Sequence, residues 1–229
     1  MRRAAPGVAV VLSALVVMSV SGCGNSAGAV TTSEPETGAA APAPSAPPVA
    51  KTAVSGLAGL VVVPKGYLTG DTTDPGEQSG PFSRESYLNT LSASPSEDRA
   101  LLLNAHFAEG YQAYRTSADR KKHYTVKIFR VGSKAQADIL RRGFWAQETH
   151  SRAFAVPGVP GALTDARIVV ATSVGRTEAV AESSFVVGSL VTEISVSQSG
   201  DLTADLTPDT ALVAAITKQQ RQSLSRKSG

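Results

Sequence analysis

The chain of 229 residues contains a single cysteine, Cys23, so no disulfide bond can form within it. Small exported domains commonly depend on disulfide bonds, whereas a domain that buries a sizeable core does not need them. Any fold of this chain must therefore be held by packing and hydrogen bonding alone. The first question is which segments can supply a core.

The segment before Cys23 has the layout of an export signal. Arg2 and Arg3 supply positive charge, and the stretch 7–20 ("GVAVVLSALVVMSV") is almost wholly apolar. Its length suits the apolar region of a signal peptide and falls short of the roughly 20 residues that a membrane-spanning helix needs. Residues 1–22 are therefore predicted to be a signal peptide and not part of the fold.

Directly after the apolar stretch, Val20, Ser21, Gly22 and Cys23 resemble the lipobox of bacterial lipoproteins. In that family the cysteine sulfur receives a diacylglyceryl group, and cleavage makes the cysteine the first residue. The resemblance implies lipidation of Cys23 and a location on the outer face of the cytoplasmic membrane. Two acyl chains anchor stably, because each buried methylene contributes about 0.8 kcal/mol. The alternative is an ordinary secretory signal with an incidental cysteine, since Ser21 and Gly22 also suit that cleavage.

Residues 23–55 form a proline-rich tract of small and polar residues without any aromatic side chain. Such a composition cannot bury enough apolar surface to offset the entropy of ordering the chain. We predict a disordered tether, stiffer near Pro42, Pro44 and Pro47, where polyproline II is favoured. Its threonines and serines resemble O-glycosylated stalks, and a bare spacer is the simpler interpretation.

The charge of the chain does not indicate a nucleic-acid partner. There are 22 basic and 19 acidic residues, and loss of Arg2 and Arg3 with the signal leaves a nearly neutral chain. A nucleic-acid binder usually carries a strongly basic surface. The basic run at 120–122 is typical of a solvated strand edge, and it can alternatively face anionic lipids or wall polymers.

Residues 56–229 are predicted to form one domain of about 170 residues, which is large enough to bury its own core. The clearest helix is predicted over 94–115. Ser94 is a suitable N-cap and Pro95 a suitable first residue. Residues at spacings of three and four give this helix one apolar face: Ala100, Leu103, Phe107, Tyr111 and Tyr114.

A strand is predicted next, over 123–131, where apolar and polar residues alternate. A second helix is expected to begin after Ser133, with Ala137, Leu140 and Phe144 on one face and Trp145 beside it. The repeated Val-Pro-Gly within 156–161 predicts two type II turns.

Three strands over 167–174, 177–187 and 190–197 then predict a meander with two-residue loops. Pairing Val187 with Leu190 separates an apolar face from a polar one, and the helix expected to start at 207–209 covers the apolar face. This order of elements predicts an α+β fold, with a largely antiparallel sheet and helices packed on one face.

The region 106–111 before a strand, and the meander after the Val-Pro-Gly repeats, resemble uncharacterised actinobacterial lipoprotein domains. This resemblance implies a fold of the same kind. It assigns no functional residue.

A search for catalytic chemistry gives a largely negative result. The sequence contains no G-x-S-x-G, P-loop, dinucleotide or paired-cysteine motif, so we expect no catalytic residue and no cofactor. His106 and Glu109 lie three apart on the first predicted helix, but the sequence indicates no third ligand, so no metal site is expected.

Four aromatic residues are candidates for lining a pocket between a helix and the sheet, although aromatic residues at helical spacing are commonly plain core. They are Phe107, Tyr111, Tyr114 and Trp145.

These observations favour a non-enzymatic lipoprotein of the cell envelope that binds a ligand or partner. Its expected partners are the membrane, through the diacylglyceryl anchor on Cys23, and a small apolar ligand or an envelope protein, with no nucleic acid. The alternative is an envelope hydrolase whose active site a single sequence does not reveal.

Overall fold

The computed structural model describes residues 56–70 and 72–227. The predicted signal peptide, the predicted tether and Cys23 lie outside these ranges, so they stay predictions. In the described part, no helix combines the length and the apolar character needed to cross a membrane. The elements in chain order are β1 (Tyr67–Thr69), β2 (Gly80–Phe82), α1 (Arg84–Thr90), α2 (Pro95–Asn104), β3 (Glu109–Ser117), β4 (Lys122–Arg130), α3 (Lys134–Ala146), β5 (Leu163–Ala171), β6 (Arg176–Val187), β7 (Leu190–Asp201) and α4 (Thr210–Lys227).

The strands of the described part form one antiparallel sheet. Its order is β1-β3-β4-β7-β6-β5, and β2 also pairs with β3. Every strand pair is antiparallel, as expected when neighbouring strands are joined by hairpins and short connections. The predicted α+β fold with a largely antiparallel sheet is therefore confirmed.

The hairpin between β6 and β7 has the predicted register. Val187 lies opposite Leu190, Ser183 lies opposite Ile194, and Gly188 takes a positive φ of 57° in the two-residue loop. The register is well determined because a slip of one residue would exchange the apolar and polar faces of both strands.

The turn between β5 and β6 is longer than predicted. β5 ends at Ala171 and β6 begins at Arg176, with a 3-10 turn over Thr172–Val174 between them. Gly175 closes this turn in the left-handed region, with φ at 65°. The predicted Val-Pro-Gly turns both form, since Gly158 and Gly161 have φ values of 81° and 74°.

The helices lie on both faces of the sheet, which differs from the expectation of one covered face. Helix α4 covers the face predicted to be apolar, where Val213 and Ile216 pack with Ala181, Phe185 and Ile194. Helix α3 covers the opposite face, and its apolar side chains (Ala137, Leu140 and Phe144) form a second core with Phe129 and Val191. Each amphipathic helix has to bury an apolar stripe, and the two faces of the sheet satisfy one helix each.

The first predicted helix is much shorter than expected. Helix α2 ends at Asn104, His106 has a positive φ of 50°, and Tyr111 and Tyr114 lie on strand β3. The prediction of one helix over 94–115 was therefore wrong. Tyrosine and threonine favour strands, and pairing with β4 satisfies the backbone groups of this segment over eight residues.

Gly110, which we placed inside that helix, lies in strand β3 beneath an aromatic ring. A Cβ added at Gly110 would lie 1.9 Å from Cε2 of Phe82. The glycine therefore lets this ring pack directly against the backbone of the strand.

The predicted start of α3 is confirmed by a capping contact, whereas α4 begins slightly later than predicted, at Thr210. The Ser133 side chain accepts a hydrogen bond from the Gln136 backbone N–H, and Asp209 Oδ1 accepts one from the Leu212 N–H. These bonds satisfy N–H groups that have no partner within the first turn of a helix. Helix α3 packs against β6 and β7, which places Phe144 and Trp145 over the strands.

Candidate functional site

A cavity of about 260 Å³ lies beneath the C-terminal end of α3, on the face of the sheet opposite α4. Trp145 and Phe144 form one wall, and strands β4, β6 and β7 form the floor. This is the face of the meander predicted to be polar, and α3 covers it. The lining residues are Thr125, Lys127, Phe144, Trp145, Glu148, Arg167, Val180, Glu182, Ser183, Ser184, Glu193, Ile194 and Ser195.

Glu193 and Ser184 face each other across the floor as a cross-strand pair. Burial raises the pKa of the Glu193 carboxyl to about 7, although the positive charge of Lys127 opposes the change. Lys127 lies opposite Glu193 on β4, but its Nζ is 5.9 Å from the centre of the Tyr87 ring. Ser184 is 2% exposed, and its buried Oγ has no hydrogen-bond partner among the described residues.

Arg167 joins three carboxylates at one side of the cavity. Its Nη1 donates to Asp165 at 3.0 Å and to Glu182, and its Nη2 donates to Glu148 at 3.0 Å. Burial alone would lower the pKa of the guanidinium, but the hydrogen bonds to Glu182 and Asp165 raise it above its ordinary value. Arg167 is thus a fixed cation whose charge is already compensated.

The two acids closest to Arg167 respond differently to their surroundings. Burial raises the pKa of Glu182 above its ordinary value, against the lowering effect of the Arg167 hydrogen bond. Burial also acts to raise the pKa of Asp165, but hydrogen bonds from Arg167 and from the backbone N–H groups of Ser151 and Arg152 outweigh it, so this pKa is lowered. Asp165 is fully buried and holds the loop after α3 against β5.

His150 connects this ionic cluster to the aromatic wall. Its ring stacks on Trp145 with 4.1 Å between ring centres, and its Nε2 lies 2.7 Å from the Trp145 carbonyl oxygen. A carbonyl only accepts, so Nε2 carries the hydrogen. The buried Nδ1 faces Asp165 Oδ2 at 4.0 Å and Glu182 Oε1 at 3.8 Å, without a hydrogen-bond partner among the described residues.

Ligand atoms of His150, Asp165 and Glu182 lie within 4.8 Å of one another, which is the spacing of a metal site. The charge of the cluster does not require a metal, because Arg167 Nη1 already bonds to the same two carboxylates. A divalent cation placed there would lie next to the guanidinium and be repelled by it. The cluster fits best as an ion-pair network that positions Trp145 and Glu182.

Of the four aromatic residues predicted to line a pocket, Trp145 lines this cavity. Phe107 packs with the core beneath α3, Tyr111 packs against the core beneath α4, and Tyr114 hydrogen-bonds His123. The structure does not bring these four side chains together. They are apart because Tyr111 and Tyr114 lie on strand β3 and not on the predicted helix.

His106 and Glu109, considered as two metal ligands, do not share a helix. His106 contacts the Gln136 side chain, and Glu109 forms an ion pair with Arg130 at 3.1 Å. Each side chain therefore has its own contact outside the pair.

The sequence did not indicate that the acids of the cavity are buried, although the strand positions of two of them were predicted. Glu182 and Glu193 were predicted on the polar face of the meander, which is ordinarily solvated. The available signal was the second amphipathic helix, α3, which also has to cover part of the sheet. A helix that packs over the polar face of a sheet buries the carboxylates on that face. Buried carboxylates have shifted pKa values and are common at functional sites.

Comparison with known proteins gives little further information. No protein-family model matches the chain, and no curated protein matches its sequence. Among solved structures, the chain is similar to the extracellular domain of PknH from Mycobacterium tuberculosis, with a TM-score of 0.36 and 8% identity, over 54% of this chain and 69% of that one. A similarity this weak indicates no function for the chain.

Proposed function

We propose that this protein is a lipid-anchored, non-enzymatic binding module on the outer face of the cytoplasmic membrane. Its signal-like residues 1–22, followed by Cys23 in a lipobox-like setting, support export and anchoring. The proline-rich residues 23–55 support a spacer between the anchor and the domain. In this proposal the folded domain binds a small ligand in the cavity beneath α3.

The observation that carries the binding proposal is the polar floor of the cavity. Ser184 has a buried hydroxyl without a hydrogen-bond partner among the described residues, and it lies opposite the half-buried side chain of Glu193. A buried polar group without a partner costs about 1–3 kcal/mol. A ligand with a hydrogen-bond donor would supply the missing partner and recover part of this free energy.

Native mass spectrometry of the full-length protein, extracted in detergent from its own membrane, tests the proposal. We expect the wild-type protein to carry a bound small molecule and Ser184→Val to lack it, since valine fills the floor without adding charge. Ser199→Val, at an exposed position on β7, is the matched control and should keep the ligand.

Thermal unfolding of the three proteins shows whether both variants are folded. If folded wild-type and Ser184→Val proteins carry the same ligand, the cavity is not the binding site. If the wild-type protein carries no ligand, the binding proposal fails.

One observation favours a second function, an envelope hydrolase. Glu193 has a pKa raised to about 7 by burial, and it shares the cavity with Glu182. A carboxyl with a pKa near neutrality can act as a general acid. A wild-type protein that releases soluble products from purified cell-wall material, and a folded Glu193→Gln variant that does not, would favour the hydrolase over the binding module.

A further inference from the structure

We propose that the cavity beneath α3 selects an organic cation, with a primary ammonium group held between Glu193 and Ser184. This inference deepens the proposed binding function and rests on it. It names the chemical class of the ligand.

The cavity is lined by more carboxylates than cationic side chains. Its lining contains three carboxylates (Glu148, Glu182 and Glu193) and two cationic side chains (Lys127 and Arg167). Asp165, which is fully buried, bonds to Arg167 from outside the lining and adds a fourth carboxylate to the region. The surroundings are therefore acidic once Glu193 is ionised, and an incoming anion would be repelled.

Some of these charged side chains are already paired with one another. Arg167 is bonded to Asp165, Glu182 and Glu148. Lys127 lies over the Tyr87 ring and not within ion-pair distance of a carboxylate among the described residues. Within the described part of the chain, Lys127 acts on Glu193 through its charge alone, and Glu193 forms neither an ion pair nor a side-chain hydrogen bond. It is the carboxylate of the cavity that a ligand cation can pair with.

A buried hydroxyl group lies opposite Glu193 on the neighbouring strand. The Ser184 Oγ lies on the directly opposite residue of β6, is buried, and has no partner among the described residues. Side chains opposite each other on neighbouring strands are close enough to contact one ligand group. An ammonium has three donors and no acceptor, so it can bond to the carboxylate and the hydroxyl together.

The aromatic wall adds a preference for positive charge. Trp145 and Phe144 line the cavity on the side of α3, and an indole attracts a nearby cation through its ring electrons. Stacking on His150 fixes the position of the Trp145 ring. The cavity of about 260 Å³ is smaller than a drug-sized pocket, which limits the ligand to a short chain.

Three compounds of equal length and different charge test this inference. They are pentane-1,5-diamine, pentane-1,5-diol and glutarate, each titrated by calorimetry into the full-length protein in detergent at about pH 8. We expect the diamine to bind and the diol and glutarate to bind at least about tenfold more weakly, because a charge-assisted hydrogen bond is stronger than a neutral one.

Glu193→Gln should weaken binding of the diamine by about tenfold or more, since it removes the charge of the carboxylate. Glu178→Gln is the matched control, because Glu178 lies on the same strand as Ser184 but does not line the cavity. Binding of the diamine should also weaken at about pH 5, where a carboxyl with a pKa near 7 is protonated.

The inference is overturned if the diol binds as tightly as the diamine, if Glu193→Gln binds the diamine normally, or if none of the three compounds binds. Binding of the diol or of glutarate that Ser184→Val abolishes would leave the cavity as a binding site and reject only its selection for cations. A wild-type protein without any ligand in native mass spectrometry would reject the binding function as well.

Discussion

The Glu193 carboxylate forms no ion pair with a cationic side chain among the described residues, although Lys127 lies opposite it on β4. Strand β7 would expose it to water in a sheet with one open face, but α3 covers this position and removes much of its hydration. Its ionised form therefore costs free energy in the fold, and burial raises its pKa from 4.5 to about 7. The side chain can keep this placement only because the rest of the fold is stable enough to tolerate it.

This position predicts a stability that depends on pH. The folded protein holds the Glu193 proton more tightly than the unfolded chain, so stability falls as the pH rises from 4.5 to about 7. Glu193→Gln should leave stability nearly unchanged at about pH 4 and raise it at about pH 8, by on the order of 2 kcal/mol after allowing for partial exposure. Melting temperatures of both proteins across this range provide the measurement.

Glu178→Gln serves as the control for the loss of a carboxylate from the same sheet. Its effect should be small at every pH. A difference between wild type and Glu193→Gln that stays constant with pH would contradict a raised pKa at this position.

At the scale of elements, strand β3 shows how one small residue shapes a core. Gly110 leaves room for the Phe82 ring, which stacks with Phe107 at 6.0 Å and contacts Phe129 edge-on at 5.3 Å between ring centres. The ring thereby links β2 and the segment after α2 to the sheet.

Gly110→Ala should destabilise the protein by about 1–3 kcal/mol, because the added methyl group overlaps the Phe82 ring and the core has to shift. Gly80→Ala is the matched control on the neighbouring strand β2, where an added Cβ meets nothing within 4 Å. Urea unfolding of both variants measures the difference. Equal stability of the two variants would show that the ring at Phe82 is free to move.

The accuracy of sequence reasoning differs between elements for physical reasons. The hairpin of β6 and β7 was predicted to the residue, because its alternation and its Gly188 turn are local signals. The segment 105–115 was misassigned because its aromatic spacing suits a helix, while pairing with β4 is a long-range contact that one sequence does not display.

The candidate site was only partly predictable for the same reason. The sequence placed Trp145 at the end of a helix, and Glu182 and Glu193 on a common face of the meander. The amphipathic pattern of this helix indicated that it covers part of the sheet, but not which face it covers. The cluster of Arg167 with Asp165 and Glu182 also depends on pairing between β5 and β6, which sets Asp165 opposite Glu182.

At the scale of the whole molecule, the proposed lipid anchor at Cys23 determines where the protein is located, and the folded domain determines what it binds. Cys23→Ala should abolish fatty-acid labelling and move the protein from the membrane fraction to the soluble fraction, since a tether without acyl chains has too little apolar surface to bind a bilayer. Metabolic labelling and fractionation measure both effects. Ser26→Ala should behave as wild type, and a Cys23→Ala protein that is still labelled would overturn the assignment of the lipobox.

The contact between α4 and the first described residues has a mechanical consequence. Gln220 is fully buried, and its side-chain amide donates to the Leu60 carbonyl at 2.9 Å and accepts from the Val62 N–H at 2.7 Å. The Gln220 side chain thus both donates to and accepts from the backbone of residues 60–62, as the backbone of a neighbouring strand would. A pulling force that enters the domain from its N-terminal side therefore acts on α4, and through α4 on the middle of the sheet, before it can peel away any edge strand.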